Sequence, residues 1–151
     1  MASIQASEKF TFENNVKMHD HDPGATSAVE TPATRLDMMD YNEFVVTSMV
    51  TIVAAGGMTL LEIIASDVAT SGTSYVIKTS GVIAADAVGD QATLSCTAEE
   101  IAQIGTDNGV ELRYVTARQT NATATDEGVI TTVLSQPRFC VAGLTPATII
   151  A

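Results

Sequence analysis

From Tyr41 onward, apolar positions fall into short runs rich in β-branched residues, broken at regular intervals by glycine and small polar residues. Val45–Ala54 and Met58–Ala65 are two such runs, separated by Gly56-Gly57. A Gly-Gly pair supplies the positive φ angles of a tight turn, so the pattern predicts two buried strands joined as a hairpin. Ser66–Gly72 reads as a loop and Ser74–Thr79 as a strand. After the turn signal Gly89-Asp90, Ala92, Leu94 and Cys96 share one face of a further strand. Thr97-Ala98-Glu99-Glu100 fits a capping box, with Thr97 as N-cap and Glu100 three positions on. It predicts a helix of about two turns, with Ile101 and Ile104 inward and Gly105 as its end. Asp107-Asn108-Gly109 is a strong turn signal, followed by strands over Glu111–Arg118 and Gly128–Ser135, with a polar loop at 121–127 between them. Phe139–Ala142 reads as a last full strand and Thr148–Ile150 as a short terminal one. Seven or eight short strands with one small helix predict an all-β fold, an antiparallel β-sandwich or a jelly-roll-like barrel.

The first forty residues differ. They contain six of the residues Ile, Leu, Val and Phe, against thirteen in residues 41–80, and they hold Pro23, Gly24 and Pro32. No sustained period runs through them. The reading is an extended N-terminal arm over residues 1–40 and a β-sandwich domain over 41–151. An arm this poor in apolar surface cannot offset its own ordering entropy, so it is either disordered or ordered by lying on something else.

Composition sharpens this picture. The chain of 151 residues suits one domain, and its apolar fraction of 46% suits a folded one. With four Phe, three Tyr and no Trp, the core must be aliphatic. The formal net charge of −11 comes from 18 acidic and 7 basic residues, and the basic ones are scattered. Phosphate binding needs a cationic patch, so direct nucleic-acid binding is not expected, and neither is an anionic membrane surface. The start of the chain shows no apolar run resembling a signal peptide. Residues 44–61 are uncharged over a length at the lower edge of a membrane span, but they contain Thr47, Ser48, Thr51, Thr59 and the Gly pair. Buried strands are the expected reading. Cys96 and Cys140 have no CxxC context and read as two small buried hydrophobes.

Candidate chemistry is sparse. Met18-His19-Asp20-His21-Asp22 is the only ligand-dense cluster, and His19 and His21 would face the same way on an extended chain. They are the only histidines, so a closed metal site lacks further ligands, and a catalytic triad would have to take its base from the arm. The carboxylate pairs Glu99-Glu100 and Asp126-Glu127 are expected to be hydrated rather than catalytic. Asp107-Asn108-Gly109 lacks the other spaced ligands of a calcium loop. Asn121-Ala122-Thr123 matches a glycosylation sequon, a tripeptide that arises often by chance. Neither an enzyme nor a bound cofactor or metal is expected.

This leaves surfaces. Phe10 and Phe12 are the main apolar handles of the arm, which could add a strand to a neighbour's sheet. Arg35, Arg113, Arg118 and Arg138 are candidate partner-binding cations, with ordinary surface ion pairing as the plain alternative.

Laid out this way, the chain resembles the capsid cement, or decoration, proteins of tailed double-stranded DNA phages. The likeness is carried by Thr59-Leu-Leu-Glu-Ile-Ile-Ala65, Ala84-Ala-Asp-Ala-Val-Gly-Asp90, Arg113-Tyr-Val-Thr-Ala-Arg118 and Pro137-Arg-Phe-Cys-Val-Ala-Gly-Leu-Thr145, across roughly residues 55–145. The resemblance implies a virion structural protein on the outer capsid surface, a homotrimer that ties neighbouring major capsid proteins together. A tail or fibre protein would share the composition. A carbohydrate-binding β-sandwich is the rival from another class, and it would need aromatic platforms that three Tyr supply poorly.

Overall fold

Alternation along the longest strand sets the architecture. The computed structural model describes residues 10–11, 29–70, 72–123 and 125–137. In strand β3 (Tyr41–Ile52), Phe44, Val46, Ser48 and Val50 are buried, while Val45, Thr47 and Met49 lie half-buried on the opposite face. The other strands are β1 (Phe10–Thr11), β2 (Val29–Asp37), β4 (Met58–Ser66), β5 (Tyr75–Thr79), β6 (Gln91–Thr97), β7 (Tyr114–Asn121) and β8 (Glu127–Pro137). One sheet has the order β1-β8-β3-β6 and the other β2-β7-β4-β5, with every pairing antiparallel. The two sheets pack face to face as a sandwich and do not close into a barrel.

Phe44, Val46, Val50, Ile130 and Leu134 from the first sheet meet Leu61, Ile63, Ala65, Val115 and Ala117 from the second. Burying a side chain of the Val, Leu, Ile or Phe kind contributes about 1.5–3 kcal/mol each. Strand β4 is interior to its sheet, and Glu62, Ile64 and Ser66 on its outer face are buried as well. That double burial accounts for its nearly unbroken apolar run.

Three expectations change. Gly56-Gly57 does not close a hairpin, because β3 and β4 belong to different sheets. The glycines carry the chain across the sandwich. Gly57 has φ 66°, and a Cβ there would lie 2.0 Å from the Ala85 carbonyl oxygen. Helix α1 (Ala98–Asn108) has the expected capping box but runs about one turn further than predicted. Gly105 lies inside it, tightly packed, and Gly109 closes it in the left-handed conformation. The N–H groups of Gly109 and Val110 donate to the carbonyls of Thr106 and Gly105, a Schellman closure. The Asp-Asn-Gly signal was therefore a helix stop.

The third change concerns the arm. Strand β2 pairs with β7, and Arg35, Leu36 and Met38 are buried, so the sandwich begins well before Tyr41. Further back, β1 pairs with β8 at Leu134 and Ser135. The expected strands at 139–142 and 148–150 lie outside the described residues. Among the described residues, no helix is long and apolar enough to cross a membrane, and residues 44–61 run along β3 into β4.

Candidate functional site

Three of the four cations expected to reach a partner, Arg35, Arg113 and Arg118, have partners within the chain. Arg113 forks onto Asp37, its Nε donating to Oδ1 at 2.8 Å and its Nη2 to Oδ2. The hydrogen bonds from Arg113 hold the Asp37 carboxyl below the usual carboxylate range. On the outer face of the second sheet, Arg118 donates from Nε to Glu62 Oε2 at 2.8 Å, directly opposite it in the β4–β7 register. Arg35 is buried in the irregular stretch of β2, where its guanidinium donates to the hydroxyls of Ser66 and Ser74. Phe10 contributes backbone pairing at the edge of the first sheet. Phe12, Arg138, the His19–Asp22 cluster and Cys140 lie outside the described residues. The structure brings none of Arg35, Arg113 and Arg118 together as a shared cationic patch. Each is spent on its own intramolecular partner.

Asp126 was expected to be a hydrated loop acid, and it is instead fully buried. Its Oδ1 accepts the N–H groups of Ala54 at 2.7 Å and Ala55 at 3.0 Å, while Oδ2 accepts the N–H of Thr123 at 2.9 Å and its hydroxyl at 2.8 Å. Burial pushes this carboxyl up, but the hydrogen bonds outweigh it and hold the group well below the usual range. It ties the β3–β4 crossover to the β7–β8 connection. Next to it, Asn121 donates to the Asp126 carbonyl at 2.6 Å and accepts from Gln119, which in turn accepts the Ser48 hydroxyl between the sheets. The sequon asparagine is thus sealed in the interior. Cys96 is also buried, and burial pushes its thiol up to about 12. These groups serve the fold: a carboxylate satisfied by four donors has no lone pair placed for a substrate. Among the described residues, no three His, Cys, Asp or Glu gather as a metal site.

Three surfaces remain. On the outer face of the first sheet, cross-strand register aligns three rows: Ser95, Val45 and Val133; Thr93, Thr47 and Thr131; Gln91, Met49 and Val129. No member is charged. The Thr47 and Thr93 hydroxyls bond at 3.0 Å, confirming that the rows share a face. Glu43 and Glu127 bound the grid at its two ends.

The second surface is the end of the sandwich holding the β3–β4 crossover and the loop between β5 and β6. Here Ile52 is 45% exposed, Val88 70% and Val82 94%. The third is an open groove of about 530 Å³ at the opposite end, between α1 and the turn before β3. Met38, Met39, Ile101, Ala102, Val110 and Leu112 line it, with Gly105 packed closely against Val110 and Leu112. Sequence reasoning missed the groove because its walls come from two segments far apart in the chain, Met38–Met39 and the stretch from Ala98 to Arg113. It also missed the grid, whose rows exist only once β3 is registered against both neighbours. Compared with protein families, curated proteins and solved structures, the chain matches none.

Proposed function

We propose that this chain is an assembly-forming structural protein of the capsid cement kind, seated on the outer surface of a phage capsid and tying neighbouring major capsid proteins together as a homotrimer. The observation that carries the reading is the uncharged grid on the first sheet. Copies of a chain with net charge −11 repel one another and are repelled by any acidic surface. Close packing is then favoured where charge is missing and flat β surface is offered. The grid meets both conditions, and the exposed valines at one end add a second apolar contact. Intramolecular pairing of Arg113 and Arg118 agrees with contacts made by shape and apolar area rather than by ion pairs.

Two measurements test it. Light scattering across a wide concentration range should return three times the 15.8 kDa chain mass. Purified protein should also saturate undecorated capsids at a copy number in the hundreds. Thr131→Lys, placed in the middle row of the grid, should abolish saturation while leaving the fold intact. A monomer at every concentration that also ignores capsids refutes the proposal.

A further inference from the structure

We propose that the free edge of β6 is a self-pairing site, where a second copy of the chain adds its own β6 antiparallel across a twofold axis at Thr93. The proposal deepens the assembly reading above and rests on its premise that the chain works by packing against its own copies.

Backbone geometry leaves this edge open. β6 is the last strand of its sheet, with β3 on one side only. The Val50 N–H donates to the Asp90 carbonyl at 2.9 Å, and the Val50 carbonyl accepts the Gly89 N–H at 2.9 Å. Bonded pairs alternate along an antiparallel ladder, so Ser48–Ala92, Val46–Leu94 and Phe44–Cys96 carry the bonds that follow. The N–H and C=O groups of Gln91, Thr93 and Ser95 therefore point away from β3. Thr97 points the same way, and its N–H is already taken by Glu100 Oε2 at 2.9 Å. Gln91, Thr93 and Ser95 are exposed, and on this side their backbone groups have no partner among the described residues.

A bare strand edge invites pairing, and proteins ordinarily blunt it with charge, proline, a bulge or brevity. The other edges of the sandwich are treated in this way or covered. β2 contains Pro32 and shifts register between Thr31 and Leu36. β5 has five residues and carries Lys78, ion-paired to Glu100. On the far side of the first sheet, β1 pairs with β8 at Leu134 and Ser135, and no residue of Glu127–Ser135 is exposed. β6 has seven residues, no charge, no proline and no register shift against β3.

A second copy fits this edge. With Thr93 on the axis, Gln91 of each chain faces Ser95 of the other and Thr93 faces Thr93, a cross-strand pair that stabilises sheets. No acid meets an acid in that register, which matters for chains of net charge −11. The acids nearest the strand ends are engaged within their own chain. Asp90 Oδ2 accepts the Ala87 N–H at 3.0 Å, and Glu100 holds Thr97 and Lys78. The pairing also joins the uncharged grids of the two copies into one surface, because Gln91, Thr93 and Ser95 form the grid's outermost column. Three facing pairs exchange about six backbone hydrogen bonds. Such bonds are individually weak in water, and joining two free bodies is costly, so the contact forms where copies are already held side by side. It then links one trimer of the proposed assembly to the next.

Cross-linking in the full chain reads the register. In a Cys140→Ser background, Gln91→Cys, Thr93→Cys and Ser95→Cys each place one accessible thiol on the edge. Cys96 is buried and its thiol is pushed up to about 12, so it does not compete. Facing Cβ atoms would lie about 5 Å apart, whereas the two copies of position 91 would be offset by four residues, roughly 13 Å. A short bis-thiol reagent, at chain concentrations on the order of 1 mM, should therefore link Thr93→Cys chains to each other at least about tenfold faster than Gln91→Cys chains to each other. A mixture of Gln91→Cys and Ser95→Cys chains should link as fast as Thr93→Cys. Adding Ser95→Pro to Thr93→Cys removes an outward donor without touching the ladder to β3, so the rate should fall to that of Gln91→Cys while the urea midpoint is kept. The comparison of registers needs no proline and stands alone. Equal rates in the two registers, or indifference to Ser95→Pro, overturns the proposal. A chain that light scattering finds monomeric but that links in register keeps the pairing and refutes the homotrimer, and a trimer that links equally in both registers does the reverse.

Discussion

Asp126→Asn is the most informative single change, because it keeps the shape of the side chain and removes only its charge and one acceptor. In the native chain the two carboxylate oxygens accept four hydrogen bonds from Ala54, Ala55 and Thr123. The asparagine oxygen can retain the pair at Ala54 and Ala55. Its NH2 group then faces the N–H of Thr123, two donors meeting without an acceptor. A hydrogen bond to a charged acceptor is worth about 1.5–3 kcal/mol, and a buried donor left unmatched costs about 1–3 kcal/mol. Allowing for non-additivity, Asp126→Asn should lose about 3 kcal/mol at pH 7, and Asp126→Ala about 4 kcal/mol. For a domain of this size, 3 kcal/mol lowers Tm by roughly 6–12 °C.

The pH dependence gives a second, independent check. The folded-state pKa of Asp126 lies below its unfolded value, so the group stabilises the fold fully above the unfolded pKa of about 3.9. That stabilisation fades as pH falls from there through the folded pKa. Urea unfolding of wild type and Asp126→Asn at pH 7 and pH 3 should show the deficit shrinking at the lower pH. A deficit under about 1 kcal/mol at pH 7, or one equal at both values, refutes the argument that a charged clasp joins these loops.

Four further outcomes are expected. Gly57→Ala should cost more than about 2 kcal/mol in a chemical melt, since the new methyl would lie 2.0 Å from the Ala85 oxygen on a left-handed backbone. Gly105→Ala pits a helix-propensity gain of about 1 kcal/mol against a Cβ lying 2.6 Å from the Val110 oxygen, and calorimetry should find a net loss rather than a gain. Arg118→Met leaves Glu62, whose side chain is only 12% exposed, without its cation; a loss of about 2 kcal/mol is expected, largely relieved by adding Glu62→Gln. In a Cys140→Ser background, Cys96 should resist thiol reagents at pH 8 and react only at the rate of unfolding, because its pKa is near 12.

Much of this protein could be read from local patterns. Alternation at Ala92, Leu94 and Cys96 marked β6 and its inner face, and the capping box at Thr97 and Glu100 marked the start of α1. These signals are short-range: a pleat repeats every two residues, and a cap bonds three residues ahead. The β-branched, Trp-free composition similarly implied an aliphatic sandwich core, which Leu61, Ile63, Val115 and Ile130 supply.

Partner choice was beyond local reading. A Gly-Gly pair supplies the same φ freedom in a hairpin as in a crossover, and only the pairing of β3 with β6 and β8 decides between them. Gly105 and Gly109 are equally good helix stops, until packing of Gly105 against Val110 and Leu112 lets the helix run on. Arg113 finds Asp37 across 76 positions and Arg118 finds Glu62 across 56, so their engagement leaves no sequence signature. The buried state of Asp126 depends on donors 71 and 72 residues away. Hydrophobic period and capping are properties of a segment. Whether a charge is clasped, paired or free is a property of whatever the folded chain places within 3 Å of it.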